Sequence, residues 1–117
     1  MRRIRLATFA DAAQMLEIYR PYVLESEISF ETEAPSLSEF QERVTEKLEK
    51  FPWILCEERG QVVGYAYAGT YRSRRAYDWS VESSVYVRQG FQGQGIGREL
   101  YRELFDLLKK QGVAVRL

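Results

Sequence analysis

The chain has 117 residues, 45% hydrophobic and 29% charged, the size of one small domain able to bury roughly two thirds of its unfolded surface. Lys plus Arg and Asp plus Glu both number 17, so no overall basic field draws nucleic acid or an anionic membrane, and no apolar run approaches the ~18 residues of a membrane span. A single cysteine excludes an internal disulfide, and the absence of histidine excludes Ser/His and Cys/His nucleophilic pairs and most zinc sites. The expectation is one domain (1–117) without metal, nucleic-acid partner or membrane partner and, with no basic-then-apolar leader, a cytoplasmic location.

In chain order, "IRLATF" reads as a short strand, and Thr8 with Asp11 three residues later forms a helix capping box. Ala12, Met15, Leu16, Tyr19 and Val23 follow at helical spacing, which predicts a helix near 10–20 with Pro21 kinking or shortening its last turn. Ser36 and Glu39 make a second capping box, and Leu37, Phe40, Val44 and Leu48 line one face of a second helix that stops before Pro52. "WILCEE" and "QVVGYAYAGTY" are rich in β-branched and aromatic residues around the turn "ERGQ", an antiparallel hairpin in which Cys56 reads as a small buried hydrophobe. "YDWSVESSVYV" alternates Trp79, Val81, Ser83, Val85 and Val87 with Asp78, Ser80, Glu82, Ser84 and Tyr86, a third long strand with one acid at its middle. Ile96, Leu100, Leu104, Leu107 and Leu108 trace the apolar stripe of a last helix up to Gly112, and "VAVRL" begins another strand. The order β-α-α-β-β-β-α-β describes an α/β domain with a mixed sheet, and the helix between its last two strands makes them a parallel pair.

Between the long strand and the last helix stands "QGFQGQGIGREL", with glycines at 90, 93, 95 and 97. A P-loop requires Gly, four residues and then Gly-Lys; Gly90 and Gly95 have the spacing, but Ile96 occupies the lysine position. A dinucleotide fingerprint starting at Gly93 and Gly95 finds Arg98 where its third glycine belongs. What remains is a run of amides leading into the positive end of a helix, which binds a pyrophosphate without either fingerprint.

Gln92-Gly93-Gln94-Gly95-Ile96-Gly97 resembles the Q/R-x-x-G-x-G/A pyrophosphate loop of the GNAT N-acetyltransferase superfamily, and the preceding "VYV" resembles that family's acetyl-CoA strand. "ISFE" and "GYAYAGTYRSRRAYDWSVESSVYV" look more narrowly like the phosphinothricin and methionine sulfone or sulfoximine acetyltransferase branch. The resemblance implies the GNAT fold, acetyl-CoA as co-substrate and a small amino-acid-like amine as acceptor. It implies that a bulge in the long strand frees backbone groups of Val85 and Val87, with Tyr86 between them, for the pantetheine arm. The loop from Gln92 through Gly93, Gln94, Gly95, Ile96 and Gly97, with Arg98, would hold the pyrophosphate. Glu82 matches the branch's general base, and Phe30, Glu31, Arg72 and Tyr77 match positions around the acceptor. Such direct transfer uses no covalent enzyme intermediate, so the missing histidine is no objection.

The resemblance also implies that the family continues past Leu117 with more strand, another helix and a hairpin, carrying a cofactor-contacting asparagine and the tyrosine that protonates the departing thiolate. No tyrosine of this chain takes that last role, and the open edge of "VAVRL" favours a homodimer. Two alternatives stand beside the enzyme: a non-catalytic acyl-CoA-binding or dimerisation module, including an inactive truncated acetyltransferase, and an enzyme acetylating protein N-termini or lysines.

Overall fold

The computed structural model describes residues 2–25, 34–72, 79–112 and 115–116. A short strand, β1 (Arg2–Leu6), leads through one 3-10 turn (Phe9–Asp11) into α1 (Ala12–Glu25). The Asp11 carboxylate accepts from the Thr8 N–H at 2.8 Å and from its hydroxyl at 3.0 Å, so the capping box forms where its residues predict. The same carboxylate takes two 2.9 Å bonds from the Arg5 guanidinium. That pairing, helped by Thr8 and opposed by burial, holds the Asp11 carboxyl below the usual carboxylate range.

Helix α1 runs through Pro21 to Glu25, beyond the end expected from that proline. Proline removes only one N–H from the ladder, and the turn past it is held from outside the helix: Val23 is buried and Tyr22 hydrogen-bonds to a distant strand. The second helix, α2 (Leu37–Leu48), has its capping box, with reciprocal 3.2 Å bonds between Ser36 and Glu39, and buries Phe40 and Val44. Strands β2 (Trp53–Glu58) and β3 (Gln61–Arg72) form the hairpin, turned by Arg59 and Gly60 with φ of 53° and 79°, the primed geometry that suits strand twist. Strand β4 (Trp79–Val87), helix α3 (Ile96–Lys110) and strand β5 (Val115–Arg116) complete the order.

The sheet runs β1-β2-β3-β4-β5, antiparallel except for the parallel β4–β5 pair expected from the helical crossover. Alternation along each strand sorts the core into two layers. Trp53, Leu55, Tyr65 and the half-buried Tyr67 and Tyr86 meet α1 and α2 on one face; Ile54, Cys56, Val63, Ala66 and Ala68 meet Ile96, Leu100, Leu104 and Leu108 of α3 on the other. Cys56 is the buried hydrophobe its surroundings predict, and burial pushes its thiol pKa up. Between β2 and β3 the register shifts, Cys56 opposing Gly64 and Glu57 opposing Val62, so Val63 is the extra residue of a bulge. Around the bulge, the Val62 N–H donates to Gln14 Oε1 at 2.9 Å, the Val62 carbonyl accepts from Arg88 Nε at 2.8 Å, and the Val63 carbonyl accepts from the Arg88 N–H at 2.8 Å.

Candidate active site at the junction of β4 and α3

The bond from the Arg88 N–H to Val63 sets which way the backbone of β4 faces. In an antiparallel ladder alternate residues point their N–H and C=O at the partner, so Glu82, Ser84 and Tyr86 face β3 while Ser83, Val85 and Val87 face the opposite edge. On that edge β5 pairs only with Val81 and Glu82 among the described residues. The outward groups of Ser83, Val85 and Val87 therefore line a stretch of strand edge that no described strand covers. The bulge expected in this strand does not occur against β3: the register runs unbroken from Gly64 opposite Val87 to Arg72 opposite Trp79. Of these outward groups the Val87 carbonyl is taken by the Tyr22 hydroxyl at 2.7 Å.

The side chains of Val85 and Val87 lie under the first turn of α3. A Cβ on Gly97 would stand 3.6 Å from Val87 Cγ2 and 3.8 Å from Val85 Cγ1, ordinary contact distances that leave room for glycine or alanine there. Gly64 is tighter, since its Cβ would meet Leu100 Cδ1 at 3.0 Å and Ile96 Cγ2 at 3.1 Å, so α3 seats directly on the backbone of β3. In the loop, Gly93 and Gly95 have φ of 82° and 81° with open space around their Cβ positions. Glycine is needed there for left-handed backbone, not for clearance, and such turns gather successive amides into an anion-binding concavity. Gly95 caps α3 and accepts its first bond, from the Glu99 N–H at 3.1 Å, so the amides of Ile96, Gly97 and Arg98 precede the helix ladder and have no acceptor in it among the described residues. With the positive end of the helix dipole they form a site for a phosphate. Gln92, Gly93, Gln94, Gly95 and Arg98 are exposed; Arg98 lines a groove of about 330 Å³ along α3 with Tyr101 and Phe105.

Glu82 is exposed on the α1–α2 face, directly opposite Gly69. The Lys47 ammonium lies 3.0 Å from where a Gly69 Cβ would stand and 5.4 Å from the centre of the Tyr67 ring. A cavity of about 380 Å³ opens here between Gly69, Ala68, Phe51 and the end of α2. Glu82 is not among the residues lining this cavity; it stands across the strand pair from Gly69, about 10 Å along the strand from Val85. The ring of Tyr86, two residues beyond Ser84 on the same face, stacks edge-on with Tyr19 and Tyr22. Arg72 is described in its backbone, which pairs with Trp79 at the far end of the hairpin; Phe30, Glu31 and Tyr77 lie outside the described residues. Lys47 and Tyr22 gave no sequence signal as site residues, because each reaches the region only through tertiary packing.

The family model described as "Acetyltransferase (GNAT) domain" matches residues 4–115. The chain belongs to the GNAT acetyltransferase domain family. Among curated members it is similar to the phosphinothricin N-acetyltransferase of Streptomyces viridochromogenes, 39% identical over 93% of this chain and 60% of that protein. It is 35% identical to the L-methionine sulfoximine/L-methionine sulfone acetyltransferase of Salmonella typhimurium, over 93% of this chain and 64% of that one. A solved GNAT phosphinothricin acetyltransferase from Sinorhizobium meliloti, in complex with acetyl-CoA, superposes with a TM-score of 0.81 and 37% identity over 90% of this chain and 58% of its own. The chain thus spans about 60% of the length of the curated relatives it matches. The layout of mixed sheet, glycine loop and helix start is the GNAT fold expected from the motif.

Proposed function

We propose that this GNAT chain transfers an acetyl group from acetyl-CoA to the amine of a small amino-acid-like acceptor of the phosphinothricin or methionine sulfone/sulfoximine type, in a cytoplasmic setting. The observation that carries the reading is the continuity of two features: the uncovered edge at Val85 and Val87 leads straight into the left-handed glycines and first amides of the α3 start. An extended amide-bearing arm ending in a pyrophosphate fits that sequence of groups. Bound there, acetyl-CoA would supply the activated acyl group; the chain holds and aligns the reactants, the C–N bond forms as the C–S bond breaks, and the excess proton left on the nitrogen goes to the departing CoA thiolate.

The amides from Gln92 to Gly97 hold the pyrophosphate, and the outward groups of Val85 with the N–H of Val87 hold the arm. Glu82, exposed opposite Gly69, accepts the proton that the acceptor's ammonium must lose before its nitrogen can attack. A homodimer is part of this reading, since an exposed sheet edge favours strand addition.

The test has two stages. Acetyl-CoA at about 100 times its Kd should stabilise the protein by about 2.7 kcal/mol in a thermal unfolding scan. Glu82→Gln should then lower amine-dependent CoA release about 100-fold or more while leaving that stabilisation intact. Stabilisation without turnover in the parent chain would make it a binding module, and faster acetylation of peptides than of free amino acids would overturn the acceptor class. A monomer on size-exclusion chromatography would remove the homodimer.

A further inference from the structure

The hydroxyl of Tyr22 sits between the two ends of the segment that enters the glycine loop. It donates to the carbonyl of Val87, the last residue of β4, at 2.7 Å, and accepts from the side-chain Nε2 of Gln92 at 3.2 Å. Its ring is held edge-on against Tyr86, with centroids 5.2 Å apart and planes at 68°. Inside the segment the Phe91 N–H donates to the Arg88 carbonyl at 3.0 Å, closing a turn. Arg88 ties the start of the segment to Val62 and Val63, and two further ties reach across residues 87 to 92, one within the backbone and one through a side chain from α1.

Gln92 opens the glycine motif, and its side chain is turned back onto Tyr22. The residues after it, Gly93 to Gly97, contribute by amide direction, which depends on where the loop starts. A hydroxyl with one donor and two acceptor positions suits this junction, using its proton on the strand and a lone pair on the loop.

Resting on the acetyl-CoA reading above, we infer that Tyr22 is a positioning residue for the cofactor. Its hydroxyl clamps Gln92 to the end of β4 and so preorganises the amides that meet the pyrophosphate. Without the clamp the loop samples other arrangements, and ordering it on binding costs affinity. This gives the glutamine of the motif the task of anchoring the loop, with the anion left to the backbone.

Isothermal titration of acetyl-CoA and, separately, of inorganic pyrophosphate into the parent chain, Tyr22→Phe, Gln92→Ala and the double variant tests the clamp. Each single change should weaken acetyl-CoA binding about five- to tenfold, with a parallel loss for pyrophosphate, and the double variant should bind no more weakly than the weaker single one. The exposed Gln92→Ala should leave the denaturation midpoint unchanged, which separates positioning from folding and keeps the test open if Tyr22→Phe folds poorly. Parent-like affinity in either single variant, or losses that add in the double one, would overturn the clamp alone. A folded parent chain that binds no acetyl-CoA would instead overturn the cofactor reading and this inference with it.

Discussion

The two faces of the sheet are packed with different materials. Toward α3 the layer is aliphatic, with Ile54, Val63, Ala66 and Ala68 against Ile96, Leu100, Leu104 and Leu108. Toward α1 and α2 it is a stack of rings: Trp53 lies on Tyr67 at 4.2 Å and on Tyr65 at 5.7 Å, Phe40 meets Trp53 edge-on at 6.0 Å, and Tyr86 joins Tyr65 to Tyr19 and Tyr22. The aliphatic layer offers shape alone, so it seats the helix whose first turn faces the glycine loop. The aromatic layer offers shape with polar atoms at the ring edges, so its members bury area and still reach hydrogen-bond partners at the margin. Trp53 Nε1 donates to Met15 Sδ at 3.2 Å in the interior, and Tyr22 does its bonding at the rim.

The sharpest way to break this contrast is to open a hole in the aliphatic layer. Leu104→Ala should lower stability by about 2–5 kcal/mol in a denaturant titration, and Leu104→Met by less than about 1.5 kcal/mol, because only volume and apolarity matter there. A Met variant as damaging as the Ala variant would mean that this layer, too, depends on specific geometry.

At the polar margin of the other face the expected effect is smaller and depends on pH. Asp11→Asn removes the paired charge beside Arg5 and should cost about 1–3 kcal/mol near neutral pH. Because the folded Asp11 carboxyl titrates below its unfolded value, its contribution is complete above the ordinary carboxylate range and is lost as pH falls through the folded value. Denaturation midpoints of parent and variant should therefore converge as the pH falls below the ordinary carboxylate range. Curves that stay parallel throughout the acid range would show that the pair contributes packing only.

Smallest of all is the effect of one hydroxyl. Tyr65 is buried among the rings with no partner for its Oη among the described residues, and burial pushes its pKa well up. Tyr65→Phe should be neutral or raise the melting temperature by a few degrees, on the order of 1 kcal/mol. A fall would mean that this hydroxyl is satisfied, and that the rings of this face are polar throughout.

Local features of this fold were legible in the sequence. Both capping boxes lie within four residues, the α3 stripe repeats every turn, and the hairpin turn is flanked by runs of strand-forming residues. Alternation in "VESSVYV" correctly separated Val85 and Val87 from Glu82 and Tyr86. Features created by tertiary contact were not legible. Pro21 ends a helix by local rules, but Val23 and Tyr22 are held beyond it by the sheet. The Val63 bulge depends on Gln14 and Arg88, and the Tyr22 bridge joins residues 65 and 70 positions apart. At the candidate site the glycine spacing was readable because backbone conformation is local; the place of Gly69 opposite Glu82, and of Lys47 beside that glycine, follows from register and helix packing.

Cys56, the one sulfur nucleophile in the chain, is fully enclosed between β2 and α3. Alkylating reagents reach it only when the sheet and helix part, so its labelling rate under native conditions counts those openings directly. A folded sample accordingly offers a chemically silent background, against which newly released thiol belongs to the leaving group. Covalent modification of the protein dates the moment when a molecule came undone.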